Sequence, residues 1–198
     1  MEIIKPNIKW NGTLKPLDLT RVDSIALHHM AHPTADIYEV DRWHKANGWA
    51  GFGYGFFIAK DGTIYEGRGF NQNAAVANHN GHIISIGFQG DYENVDKEMP
   101  PAQYKAGVEL IKWIMGQIPS IKIVHGHKYW NNTDCPGKYF PLTEMITDAF
   151  KKSREHWAEE YYQFLKSKGI TIHEKRFDDP ATRGDMFAMM ARVMGYNK

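Results

Sequence analysis

The chain has 198 residues, with 24 Lys and Arg against 23 Asp and Glu, a net charge of +1. That balance removes the electrostatic case for a nucleic-acid partner, which needs a clustered excess of basic residues. Hydrophobic residues at 42% and aromatics at 13% fill a core and argue against disorder, and no apolar run nears the roughly 20 residues of a membrane span.

Met1 to Gly12 holds one short apolar pair, Ile3 and Ile4, followed by Lys5, Pro6 and Asn7. A secretory signal needs a continuous apolar stretch of about 7–15 residues. The expectation is therefore cytoplasmic synthesis with no membrane partner. Ser24 to His28 reads as a short buried strand. Pro33 to Asp36 reads as a loop with a helix start, followed by Ile37, Val40, Trp43 and His44 at helical spacing. Glycines 48, 51, 53 and 55 interrupt that helix and lead into a strand from Tyr54 to Ala59. Lys60-Asp61-Gly62-Thr63 then predicts a two-residue hairpin turn, because Asp-Gly tolerates positive φ.

Ile64 and Tyr65 begin the return strand, and Ile83 to Phe88 reads as another buried strand. Pro101 opens a helix carrying Tyr104, Val108 and Ile111, which Pro119 stops. Ile121 to His127 predicts a strand, Tyr129 to Gly137 a loop, and Leu142 to Phe150 a helix. The expected fold is α/β, a central mixed β-sheet flanked by helices, with a small α-helical C-terminal appendage. The domains are expected at 1–153 and 154–198. In the appendage, Glu155 to Lys168 and Thr182 to Met194 have amphipathic helical patterns. Met186, Met189, Met190 and Met194 there read as core.

The lone Cys135 cannot form an intramolecular disulfide, so its chemistry becomes the question. His28-His29 ends an apolar strand, and Val124-His125-Gly126-His127 is followed by Asn131-Asn132-Thr133-Asp134-Cys135-Pro136-Gly137. Imidazole and thiolate are the ligands zinc prefers, and three of them leave the open fourth position of a catalytic site. Neighbouring strand residues face opposite ways, so His28 and His29 cannot share one metal. His125 and His127 share a face and stay rivals on spacing alone. A nucleophilic cysteine is the other chemistry, but Pro136 offers no N–H to an oxyanion and no helix N-terminus activates the thiol.

Six short motifs occur in order: Ile25-Ala26-Leu27-His28-His29, Gly53-Tyr54-Gly55-Phe56, Lys60 through Arg68, Ser85-Ile86-Gly87, Gly126-His127-Lys128 and Cys135-Pro136-Gly137. Over residues 20–150 the chain resembles the zinc-dependent N-acetylmuramoyl-L-alanine amidases of the type-2 family, which includes phage endolysins and peptidoglycan recognition proteins. The resemblance implies Zn2+ held by His28, His127 and Cys135. It implies catalytic roles for Tyr54 beside the scissile carbonyl and for Thr133, where many phage members carry Lys. It further implies that His79 lines the substrate groove. Asn78, Trp49 and Trp130 are candidates for the same groove on residue type, with packing or loop surface as the equal alternative for each. His32, His44, His82, His156 and His173 read as structural or solvated.

The implied activity is hydrolysis of the amide between N-acetylmuramic acid and L-alanine in bacterial peptidoglycan, as in a phage or prophage endolysin that reaches the wall after release. The alternatives are a cytoplasmic recycling amidase acting on anhydro-muropeptides and a non-catalytic peptidoglycan-binding module. Members of the latter kind have lost the zinc cysteine, which this chain keeps as Cys135. The appendage resembles one S-layer-homology unit, which implies contact with cell-wall polymers. A helical hairpin that mediates dimerisation is the other reading of it.

Overall fold

Apolar runs that lack alternation predict strands buried on both faces, and the computed structural model, which describes residues 1–151, 164–169 and 189, bears this out. β1 (Ser24–His29) and β4 (Ile83–Phe88) are buried at every position. With β2 (Phe56–Ile58), β3 (Ile64–Glu66) and β5 (Ile123–Gly126) they form one five-stranded sheet in the order β3-β2-β4-β1-β5. β2, β4, β1 and β5 run parallel, and β3 pairs antiparallel with β2. The sheet is therefore mixed, as expected.

Three helices follow from the predicted signals. α1 (Ile37–Ala46) starts where Asp36 accepts the Glu39 N–H at 2.8 Å, an N-cap that satisfies an otherwise orphaned donor. α2 (Pro101–Gln117) has Pro at its first position, and α3 is Leu142–Phe150. Ile25 and Leu27 of β1 share a large core cluster with Leu110, Ile111 and Ile114 of α2. On the other face, Phe57 of β2 packs with Ile37 and Val40 of α1 and with Phe52. Helices thus cover both faces.

Three details differ from the sequence reading. The hairpin loop is longer than two residues: Ala59 N–H donates to Thr63 O, Gly62 N–H donates to Ala59 O, and only Gly62 in this loop takes a positive φ, of 88°. β2 starts at Phe56 because the carbonyls of Tyr54 and Gly55 accept from Arg68, Gly67 and Gly69 instead of from a ladder partner. β5 ends at Gly126 because His127–Tyr129 turns into a 3-10 helix.

The chain divides into two compact units, Met1–Lys151 and Lys152–Lys198, and every element named above belongs to the first. The paired helices expected in the C-terminal appendage, with His156 and His173, lie outside the described residues. Among the described residues no helix is long and apolar enough to cross a membrane.

Candidate metal centre

Side chains alternate along β1. Ile25 and Leu27 enter the large core, and so does the strand-end His29, whose Nδ1 accepts the N–H of the buried Tyr92 at 3.0 Å. Ala26 and His28 therefore face the other way. Ala26 packs with Val76 and Ile83, and His28, 1% exposed, ends the strand at the C-terminal edge of the sheet. This is the edge where open parallel sheets gather their ligands.

β5 pairs Leu27 with Gly126, so the next step of that register sets His127 beside His28. Their ring centroids lie 4.6 Å apart. His125 faces the same side but pairs with Ala26, two residues and about 6.6 Å back along the strand. There it stacks on Tyr129 at 4.7 Å. Distance along the strand, not direction, separates the two rivals.

The loop after β5 returns Cys135 to the same edge, with Sγ 3.7 Å from His28 Nδ1. One ligand atom from each of His28, His127 and Cys135 lies within 4.8 Å of the others, the one such group of three among the described residues. A sulfur and a nitrogen on one tetrahedral zinc lie roughly 3.5 Å apart, so the spacing fits. It is Nδ1 of His28 that faces the sulfur; the buried Nε2 of the same ring has no hydrogen-bond partner among the described residues. His127 Nε2 lies 2.9 Å from Asn131 Oδ1. Donation from this nitrogen leaves Nδ1 as the lone-pair atom, the arrangement that orients a metal-ligating imidazole.

Electrostatics favour the same reading. Burial, then the neighbouring His127 and His29, holds His28 well below the ordinary imidazole range, so it is neutral and free to ligate. Burial pushes the Cys135 thiol up to about 12, against a backbone hydrogen bond from His29 and the charge of Lys128. A dication held beside the sulfur would offset that desolvation and favour the thiolate.

Tyr54 lies just before β2, its ring 4.9 Å from that of His28. The approach depends on Gly87, which β1 pairs with His28: a Cβ there would meet Met30 Cε at 2.5 Å and Tyr54 Cγ at 3.3 Å. Burial, then the charge of Cys135, raises the Tyr54 hydroxyl pKa, so it stays protonated and able to donate. Thr133 Oγ1 accepts the Cys135 N–H at 3.2 Å.

The cluster opens onto a cleft of about 460 Å³ lined by Tyr54, Trp49 and Thr133, with Glu93 and Asn94 on its rim. An adjoining hollow of about 530 Å³ shares Trp49, His127 and Thr133. Trp49 is held by stacking on His44, 4.6 Å between ring centroids. Asn78 and His79 line neither space. His79 Nδ1 instead faces His82 Nε2 at 3.2 Å, and His82 reaches Asp23 before β1, at the opposite end of the sheet from His28. Trp130 likewise packs against Ala26, Val76 and Ile83 instead of lining the groove. Sequence reasoning missed Asn131, Glu93 and Asn94, which lie in loops where no periodicity marks a contact.

The family model described as N-acetylmuramoyl-L-alanine amidase (Amidase_2) matches residues 18–138, and the chain belongs to that family. Among solved structures, the endolysin amidase LysCS from Clostridium intestinale is similar at 28% identity and TM-score 0.68, over 74% of this chain and 93% of that one. A peptidoglycan recognition protein LE, solved with the monomeric diaminopimelic acid-type peptidoglycan tracheal cytotoxin, shares the fold at 23% identity and TM-score 0.64, covering 73% of this chain and 92% of that one. Peptidoglycan-recognition protein SC2 of Drosophila melanogaster is 41% identical over 93 residues, 46% of this chain. The chain spans half the length of that fly protein.

Proposed function

We propose that this chain is a zinc-dependent N-acetylmuramoyl-L-alanine amidase, which hydrolyses the bond between the lactyl group of N-acetylmuramic acid and L-alanine of the stem peptide. The observation that carries the reading is the His28, His127 and Cys135 group opening onto a cleft that Tyr54 also lines. A zinc bound there supplies Lewis acidity and a water acidic enough to act as nucleophile near pH 7.

The chain's own groups have distinct tasks. His28 and His127 present neutral nitrogens, and Asn131 fixes the His127 ring. Tyr54 donates its hydroxyl proton to the charge that develops on the scissile carbonyl oxygen. Thr133, with Oγ1 on the Cys135 amide, holds the cysteine loop and lines the cleft. Trp49 offers an aromatic wall to the glycan.

Bacterial peptidoglycan is the partner this reading implies, supported by the solved complex of the fold neighbour with tracheal cytotoxin. The likeness to the Clostridium endolysin favours a lytic role over a recycling one. In that role the protein is made in the cytoplasm and acts on the wall after release. In the same reading the C-terminal appendage attaches to cell-wall polymers.

The test pairs metal content with turnover. Purified chain is expected to hold one zinc at this group, to release new L-alanine amino termini from sacculi, and to lose both with Cys135→Ser. Cleavage by a folded, zinc-free Cys135→Ser protein would overturn the reading. A zinc-loaded protein that binds muropeptides without cleaving them would make the chain a recognition module.

A further inference from the structure

We infer that His79 and His82 form a second transition-metal site, distinct from the His28 group, which takes a borderline dication such as Zn2+, Ni2+ or Cu2+ through His79 Nδ1 and His82 Nε2. Those nitrogens face one another at 3.2 Å with their rings inclined at 67°. Two imidazole nitrogens on one tetrahedral zinc, each at about 2.0–2.1 Å, are separated by roughly 3.3–3.4 Å. The two side chains therefore need only a small rotation to share an ion, with water completing the shell.

The second nitrogen of His82 makes the pair more than a chance contact. His82 Nδ1 lies 2.8 Å from Asp23 Oδ1, which also accepts from Ser24 Oγ at 2.6 Å. Burial opposes ionisation of Asp23, but the hydrogen bonds from His82 and Ser24 outweigh it and hold the carboxyl below its ordinary range. The carboxylate thus fixes the proton on Nδ1 and leaves Nε2 as a lone pair, the carboxylate–histidine–metal arrangement that raises ligand basicity. His79 Nδ1 carries the shared proton in the metal-free state. On binding it gives up that proton and takes one at Nε2, with no net change in charge.

The backbone holds the pair in place before any ion arrives. His79 N–H donates to Val76 O at 3.0 Å and His82 N–H to His79 O at 3.2 Å. Asn80 Oδ1 accepts the N–H groups of both Ala75 and Val76, and Asn78 takes the left-handed φ of 67° that closes the turn. Asp23 N–H donates to His82 O at 3.2 Å, which ties the turn to the start of β1. The same segment supplies Ala74, Ala75, Ala77 and Asn80 to the wall of the 530 Å³ hollow beside the His28 group. An ion at His79 and His82 would brace that wall beside Asp23, which lies five strand residues or about 16 Å from His28 along β1.

Equilibrium dialysis of the full chain against Zn2+ tests the site, with backbone amide spectra in Cu2+, added after one equivalent of Zn2+ has filled the His28 group, to locate the ion. The wild type is expected to bind one more zinc than His79→Gln or His82→Gln, and Asp23→Asn to weaken that extra zinc about 10–100-fold. Cu2+ is expected to broaden the amides of Asp23 and residues 76–82, and to leave them sharp in His79→Gln. His79→Gln leaves the Asp23 hydrogen bond of His82 intact, so its unbroadened spectrum reports folding separately from binding. Equal zinc stoichiometry in the wild type and folded His79→Gln, or no Cu2+ broadening of this segment, would overturn the inference.

Discussion

Tyr54 sits under two constraints at once: its ring packs over Gly87 and beside His28, and its hydroxyl stays protonated because burial opposes the phenolate. Tyr54→Phe keeps the packing and deletes the donor. Loss of one oxyanion donor costs about 10²–10³ in kcat. That drop is expected with KM within about twofold and zinc content unchanged, measured on a soluble muropeptide. His44 gives a pH effect of definite sign. Burial, then the charge of Arg68, lowers its pKa to about 4, against the attraction of Asp41, while its Nδ1 accepts the Gly53 N–H at 3.0 Å. The unfolded imidazole takes a proton near 6.5, so between about 6.5 and 4 the unfolded chain binds more protons and stability falls as pH falls. Urea midpoints between pH 7 and 4.5 are expected to drop more steeply for the wild type than for His44→Gln.

At the scale of elements, the site depends on two close approaches. β5 and the cysteine loop meet where a Cβ on Gly126 would touch Pro136 Cδ at 2.5 Å. The Gly126 φ is −70°, so any residue accepts the backbone and only the contact selects glycine. Pro136 is rigid, so Gly126→Ala is expected to push Cys135 away from His127, weakening zinc binding by about tenfold or more while the far-ultraviolet spectrum stays native. Competition with a chromophoric chelator measures it. The strands and helices were largely legible beforehand: Ile83 to Phe88 lies between Gly81 and Gly90, and Leu142 to Phe150 starts after Pro141 and ends where the apolar pattern meets Lys151 and Lys152, so both form elements at the predicted bounds. Less legible was the end of β5, where the chain leaves the ladder one residue before the ligand it carries.

For the whole molecule, the sheet is the frame on which three remote segments meet, since β1, β5 and the loop after it converge only through strand order. Among the described residues, the large core cluster is built from residues 1–151. A chain ending at Lys151 is therefore expected to unfold cooperatively and to keep full cleavage of soluble muropeptides. Sedimentation with sacculi then assays the removed appendage, and a selective loss of sacculus binding is the expected outcome. Full loss of soluble cleavage in the folded truncated chain would contradict it.

The amino-acid sequence alone determined the α/β class and the zinc-preferring residue types, because apolar runs, caps, breakers and ordered motifs are local properties of the chain. It also excluded His28 and His29 as joint ligands, through strand alternation. Three things were decided only by tertiary structure: that His127 and not His125 stands beside His28, that Asn131 orients it, and that Asn78 and His79 stay out of the groove, His79 meeting His82 and Asp23 at the start of β1. Each is a matter of register and loop path between segments remote in sequence, and no local pattern records the distance between two strands that pair only when the sheet is complete.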